Sequence, residues 1–130
     1  FVILFSVATD VGAYIFGKII GGKKLMKTVS PNKTISGMFG GIFVPTILCL
    51  FIFYKIVDFP SIIVWCVIFS LTVQAGDLLE SQMKRVCSIK DSSKLIPGHG
   101  GVLDRLDGVF LLISFVSILN LLGFNFFFII

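Results

Sequence analysis

Residues 81–107 read SQMKRVCSIKDSSKLIPGHGGVLDRLD, a charged stretch that lies between two strongly apolar ones. The stretch holds five Lys or Arg residues, three aspartates and the only histidine of the chain. Charged residues next to the hydrocarbon core of a bilayer are energetically costly, so those that occur there are usually functional. This stretch therefore marks where apolar helices stop and where the chemistry of the chain is expected.

The composition indicates a polytopic membrane protein. The 130-residue chain is 56% hydrophobic and 14% charged, with 15 Phe and a mean hydropathy of +1.05, whereas soluble domains carry about 25% charged residues. A spanning helix needs about 20 mainly apolar residues. The sequence therefore predicts an all-α membrane bundle with four helices, near 2–20, 38–57, 61–79 and 108–130. The start without Met, inside an apolar run, suggests the C-terminal portion of a longer protein.

The positive charges predict the orientation of this bundle. Five lysines and no acid lie in the predicted loop 18–37, and five Lys or Arg residues lie in the predicted loop 81–105. Two predicted helices separate these loops, so both loops fall on one face of the membrane. The bias of Lys and Arg towards the cytoplasm makes that face the cytosolic one.

The three cysteines do not indicate a metal or redox site. Cys49, Cys66 and Cys87 have no CxxC spacing, and two of them lie in apolar segments. They are expected to be buried small apolar side chains, neither metal ligands nor a disulfide framework. We expect no zinc site, because a single histidine and scattered cysteines cannot assemble four ligands.

Three aspartates at the ends of the charged stretch are candidate metal ligands. Asp104 and Asp107 are three residues apart at the predicted start of the last helix, so they share a helical face. Asp77 lies in the last turns of the third apolar segment, where an unpaired carboxylate is expensive. Carboxylate oxygens are the ligands that Mg²⁺ prefers. An acid in a first helical turn can also simply complement the helix dipole, so the spacing alone leaves both interpretations open.

The cations of the stretch alternate with acids, which a simple orientation signal does not require. Arginine can grip a phosphate with two hydrogen bonds, while lysine acts as a point charge. The ordinary bias of cytosolic loops explains Lys94 equally well. The candidate phosphate-binding residues are Lys84, Arg85, Lys90 and Arg105.

His99 lies in the glycine-rich segment PGHGG at 97–101. Glycines allow the backbone to approach a ligand closely and to expose its N–H groups. A lone histidine is more often a polar filler than a catalyst, and that alternative stays open. We expect His99 to touch substrate or a phosphate oxygen rather than to act as a general base, because phosphate nucleophiles are already ionised near neutral pH.

The charged stretch resembles the signature of the phosphatidate cytidylyltransferases (CDP-diacylglycerol synthases). That signature runs Ser-x-apolar-Lys-Arg, then Lys-Asp, then Pro-x-His-Gly-Gly-apolar-x-Asp-Arg-apolar-Asp, and residues 81–107 match it position by position. The segment SPNKT at 30–34 is similar to a second segment of the family, Ser-Pro-x-Lys-Thr. Two departures stand out: Ile35-Ser36 replaces Trp-Glu, and Val11 replaces a hydroxyl residue after Asp10.

The resemblance implies that residues 1–130 are the C-terminal catalytic membrane region of such an enzyme. It implies the synthesis of CDP-diacylglycerol and pyrophosphate from CTP and phosphatidic acid, with Mg²⁺ and room for a second cation. It also implies a homodimer in the bacterial cytoplasmic membrane, with the site facing the cytoplasm and no nucleic-acid partner.

The same resemblance assigns roles to individual residues. The metal ligands would be Asp77, Asp104 and Asp107. The catalytic residues would be Lys84, Arg85, Lys90, Asp91, His99 and Arg105. The substrate-binding residues would be Ser30, Lys33, Thr34, Ser81, Gly100 and Gly101.

Two other functions remain open at this level. A CTP-dependent kinase of polyprenol or diacylglycerol needs similar cations and acids. A transporter subunit could use Asp10 and Asp77 to line a polar path, since acids within the membrane often mark such paths. The transporter alternative does not require the alternation of acids and bases in the charged stretch.

Overall fold

The computed structural model describes residues 1–26, 30–53, 55, 58–87 and 103–124, apart from the side chains of 31 and 103–106. These residues form four helices and one antiparallel hairpin, which pairs Lys24 with Thr34 and Met26 with Ser30. In chain order the elements are α1 (Val2–Ile19), β1 (Lys24–Met26), β2 (Ser30–Thr34), α2 (Ile35–Phe53), α3 (Phe59–Val86) and α4 (Leu103–Leu121). The predicted all-α bundle is confirmed, and the hairpin is a small addition that the sequence analysis did not anticipate.

Within the described residues, α1, α2 and α3 are each long and apolar enough to cross a membrane. The fourth helix contributes a shorter apolar part, Asp107–Leu121. Large apolar side chains such as Phe39, Phe43 and Phe51 are exposed on the outside of the bundle. An apolar outer surface is what contact with lipid tails requires.

Helix α3 begins at a side-chain cap and extends well beyond its predicted end at 79. At its start, Asp58 Oδ2 accepts a hydrogen bond from the backbone N–H of Ser61 at 3.1 Å. Hydrogen bonds from the side chain and backbone of Ser61 hold the pKa of the Asp58 carboxyl below its ordinary value.

At the C-terminal end of α3, Lys84 pairs with Glu80 one turn earlier at 3.2 Å, an arrangement that stabilises helices. Residues 81–86, predicted as loop, are therefore helical.

Helix α4 begins at Leu103, within the predicted loop, and ends at Leu121 rather than at 130. Gly123 has a positive φ of 93°, the left-handed conformation that favours glycine. The N–H of Gly123 bonds to the carbonyl of Asn120, and the N–H of Phe124 bonds to the carbonyl of Leu119, both at 3.1 Å. This pair of bonds is the Schellman motif that terminates helices. Residues 125–130 lie outside the described part of the chain.

The centre of the bundle is apolar. Phe5, Val73, Leu112 and Val116 are at most 1% exposed and come from three of the four helices. Phe5 and Phe69 meet edge to face, with ring centroids 6.1 Å apart. Among the cysteines, which are all free, Cys49 and Cys66 are buried as expected, whereas Cys87 is exposed at the end of α3.

Helices α1 and α2 pack closely through glycines. A Cβ atom at Gly12 would lie 2.4 Å from the carbonyl oxygen of Gly40, and one at Gly40 would lie 2.4 Å from Cβ of Phe16. Small residues of this kind let two helix backbones approach each other in a membrane. The close contact holds the C-terminal end of α1 against the start of α2.

We expect Gly12→Ala to lower the free energy of unfolding by about 1–3 kcal/mol, because the added methyl meets backbone that cannot move aside. Val11→Ile is the matched control, since it adds one carbon at an exposed position of the same helix. Thermal unfolding of both variants in detergent measures the difference. Equal stability of the two variants would show that the α1–α2 contact is not tight.

Candidate functional site

The hairpin lies at the end of the bundle where α1 and α3 finish and where α2 and α4 begin. Gly21 and Gly22, with φ of 63° and 103°, turn the chain out of α1 and into β1. The N–H of Ile35 then bonds to the carbonyl of Lys23 at 3.0 Å, which ties the start of α2 to the start of the hairpin. The described part of the lysine-rich segment 18–37, which was predicted as a loop, therefore contains a hairpin whose second strand contacts α1, α2 and α3 at this end.

Thr34 fixes the hairpin to α2. Its hydroxyl oxygen accepts a hydrogen bond from the backbone N–H of Gly37 at 3.1 Å, the usual geometry of a helix N-cap. The hydroxyl also lies 3.1 Å from that of Ser36, which in turn donates a hydrogen bond to the carbonyl of Gly21. Ser36, one of the two departures from the family pattern, thus has a structural partner here.

Helices α3 and α4 touch backbone to backbone at this same end. A Cβ atom at Gly76 would lie 3.0 Å from both Cα of Gly108 and the carbonyl oxygen of Asp107. A Cβ atom at Gly108 would lie 3.1 Å from Oδ1 of Asp77. The two glycines adjoin Asp77 and Asp107 in the sequence, so the close crossing brings these two aspartates together.

The aspartates line a cavity of about 220 Å³, which we call the acidic cavity. Glu80 adds a third acid from α3 and is only 6% exposed. Its Oε2 pairs with Lys84, while its Oε1 is buried and has no hydrogen-bond partner within the part of the chain that the structure describes. The residues that line the acidic cavity are Asp10, Lys33, Asp77, Glu80, Ser81, Lys84 and Asp107.

A second, larger cavity of about 430 Å³ adjoins the first, and we call it the mixed cavity. It lies between α1, the hairpin and the start of α2, with the Gln74 amide donating to the carbonyl of Met38 at 3.3 Å nearby. Three residues line both cavities: Asp10, Lys33 and Asp77. The ammonium of Lys33 lies 3.0 Å from Oδ2 of Asp77, so this ion pair forms part of the wall that the cavities share.

The donor atoms of the acidic cavity have the chemistry that a hard divalent cation prefers. Carboxylate groups from three helices, α1, α3 and α4, line one small space, and Glu80 has a buried oxygen for which the described residues offer no hydrogen-bond partner. Among the described side chains, however, no group of three or more His, Cys, Asp or Glu is gathered closely enough to hold a metal ion. The side chain of Asp104, the remaining predicted ligand, lies outside the described residues.

The structure brings together part of the predicted site. Asp77, Asp107, Lys33, Ser81 and Lys84 line the acidic cavity, and Thr34 lines the mixed cavity although its hydroxyl is engaged in the cap. Ser30 and Arg85 line neither of these two cavities. The predicted residues outside the described part are Lys90, Asp91, His99, Gly100 and Gly101, and the side chains of Asp104 and Arg105.

Two acids of the site were not among the predicted ligands. Glu80 follows Asp77 by three residues, so a helix through residue 80 would have placed both on one face. Asp10 lines both cavities from α1, and its position within an apolar segment was the available signal. Glu80 was missed because the third helix was expected to end at 79.

Comparison with known proteins agrees with the sequence pattern. A family model described as "Cytidylyltransferase family" matches residues 1–122. The chain is 47% identical over 116 residues to a phosphatidate cytidylyltransferase of Staphylococcus aureus (strain COL), a match that covers 85% of this chain and 44% of the relative. The relative from Staphylococcus saprophyticus is 42% identical over 115 residues, with the same coverage of both chains. The chain therefore spans less than half the length of the curated relatives it matches.

We expect Thr34→Val to lower the free energy of unfolding by about 1 kcal/mol, because the N–H of Gly37 loses its acceptor. Thr34→Ser, which keeps a hydroxyl, should retain most of the stability. Thermal unfolding in detergent compares the two. If the valine and serine variants unfold alike, the capping role of Thr34 is wrong.

Proposed function

The chain belongs to the cytidylyltransferase family, and on that premise we propose that the protein makes CDP-diacylglycerol and pyrophosphate from CTP and phosphatidic acid. One observation carries the proposal: acids and lysines from four separate elements, α1, β2, α3 and α4, meet in the acidic cavity at one end of an apolar helical bundle. Such a location suits a reaction between a lipid and a water-soluble nucleotide, which can meet only at the membrane boundary. The product would serve phospholipid biosynthesis.

In the proposed reaction, an ionised phosphate oxygen of phosphatidic acid forms a bond to the α-phosphorus of CTP. The bond between that phosphorus and the bridging oxygen to the β-phosphorus breaks, and pyrophosphate leaves with the electron pair. No proton has to be removed from the nucleophile, so the chain need not supply a general base. Positioning and electrostatic stabilisation then provide most of the acceleration, as in other phosphoryl transfers.

The residues of the acidic cavity suit these two tasks. Lys33 and Lys84 present ammonium groups to the cavity and would attract the phosphates of CTP and of the lipid. Ser81 offers a hydroxyl group within the same wall. The low polarity of the surrounding helices strengthens each of these interactions relative to water.

Asp77 and Asp107, with Glu80 beside them and Asp104 as the further predicted ligand, would hold Mg²⁺. When bound, Mg²⁺ offsets negative charge on the nucleotide phosphates and on the departing pyrophosphate. Glu80 supports this assignment, because Lys84 pairs with only one of its two oxygens, and a buried polar atom without a partner among the described residues is costly unless a ligand satisfies it.

We further propose that the site faces the cytoplasm of a bacterial cell. Lysines cluster at the end of the bundle that carries the site, including Lys18 at the end of α1 and Lys24 in β1. This bias is typical of cytoplasmic membrane faces, and the similar proteins come from bacteria. A homodimer is part of the same proposal and rests on the family resemblance.

The proposed activity is tested with membranes that contain the protein, phosphatidic acid, Mg²⁺ and CTP labelled in the cytosine ring. Label should appear in the lipid fraction while pyrophosphate is released. A CTP-dependent lipid kinase would transfer only the terminal phosphate and would leave the ring label in the aqueous phase. Substrate flux in proteoliposomes without CTP consumption would favour a transporter, and either result would contradict the proposal.

We expect Asp107→Asn to lower cytidylyl transfer by at least about 100-fold, the scale seen when one electrostatic stabiliser is lost. The matched control is Asp58→Asn, at the opposite end of α3, because asparagine caps a helix about as well as aspartate. Both variants should insert in the membrane and keep their thermal stability within a few degrees. Activity of the Asp107 variant close to that of the control would remove Asp107 from the site.

A further inference from the structure

We propose that the ammonium group of Lys33 pairs with the Asp77 carboxylate in the protein without metal or nucleotide. A divalent cation that binds Asp77 then displaces this ammonium group. Once displaced, the ammonium is available to the phosphates of the nucleotide. This exchange rests on the proposed nucleotidyl transfer and concerns the order in which metal and nucleotide enter. Lys33 is thus a positioning residue for Asp77 before it contacts substrate.

The position of the ion pair is the first support. Lys33 Nζ lies 3.0 Å from Asp77 Oδ2 across 44 residues of sequence, and the two side chains are only 30% and 21% exposed. A divalent cation on the same carboxylate would lie close to the ammonium, and like charges repel strongly in such a partly buried site. The two cations therefore compete for Asp77.

The charge balance of the acidic cavity is the second support. Four acids line it, namely Asp10, Asp77, Glu80 and Asp107, against the two lysines Lys33 and Lys84. Lys84 binds one oxygen of Glu80, and no described residue forms a hydrogen bond with the other, buried oxygen, Oε1. Among the described residues that line this cavity, the acids therefore outnumber the lysines by two, a balance that favours the binding of a further cation.

The way in which the two lysines are held distinguishes them. Lys84 pairs with Glu80 on its own helix, one turn away. Lys33 comes from β2, where its neighbour Thr34 is fixed by the cap on Gly37, so its backbone position is set by the fold. The Lys33 side chain lines both cavities, and its ammonium is carried on a flexible stem of four carbons. A change of side-chain rotamer can therefore move the ammonium without moving the hairpin.

Such an exchange couples the two ligands of the site. Phosphates that attract Lys33 free Asp77 for the divalent cation, and a cation on Asp77 frees Lys33 for the phosphates. Binding of each therefore strengthens binding of the other by the same factor, as linkage requires. The protein without nucleotide should consequently hold a divalent cation only weakly.

The test measures Mn²⁺ binding to the purified protein without nucleotide, by electron paramagnetic resonance of the free ion. Lys33→Met should bind Mn²⁺ on the order of tenfold more tightly than the wild type, within the usual range of such couplings. Mn²⁺ should also raise the melting temperature of Lys33→Met more than that of the wild type. Lys33→Arg, which keeps a cation, should bind Mn²⁺ like the wild type.

Two control variants test whether the gain in Mn²⁺ affinity arises from the pair of Lys33 and Asp77. Lys24→Met removes the same charge from the neighbouring strand at an exposed position and should leave Mn²⁺ affinity unchanged. Adding Asp77→Asn to Lys33→Met should abolish the gain. If Lys33→Met binds Mn²⁺ no more tightly than the wild type, or if neither binds it, the exchange is wrong.

Failure of the exchange is distinguishable from failure of the proposed function. Transfer of ring-labelled CTP into lipid by the wild type, without a gain in Mn²⁺ affinity for Lys33→Met, would overturn the exchange alone. A gain in Mn²⁺ affinity without any transfer of label would support competition at Asp77 and would overturn the proposed reaction.

Discussion

The contact of α3 and α4 at Gly76 and Gly108 is the constraint on which the site depends. Each glycine is the sequence neighbour of an aspartate, so the distance between the helix backbones sets the distance between the carboxylates. Any larger residue at either glycine would separate the helices and open the acidic cavity. The glycines thus serve the chemistry through packing, although they carry no functional group themselves.

The second requirement is a hairpin that brings a positive charge to these acids. Two glycines with positive φ turn the chain out of α1, and the Thr34 cap fixes the far strand to α2. Lys33 stands next to that cap and reaches Asp77 from outside the helical bundle. The bundle therefore supplies the acids, while the hairpin supplies a cation that compensates one of them.

Much of this arrangement could be predicted from the sequence, and the failures have identifiable causes. Hydropathy located the helices because a helix that crosses the hydrocarbon core of a bilayer needs a long apolar segment. It misplaced the ends of α3 and α4, where local interactions decide: the Glu80–Lys84 pair extends α3, and the Gly123 turn stops α4. Hydropathy also had no means to detect a short hairpin in a polar segment, since the two strands pair only five residues with three.

The sequence by itself determined the membrane class, the charged end of the bundle and the family, because residue types and their order are sufficient for each. The tertiary structure alone decided that Lys33 meets Asp77 and that Glu80 is buried in the same cavity. Such contacts join residues far apart in the chain or depend on which helix face turns inward. Their formation requires the close helix crossings, which only the packed bundle specifies.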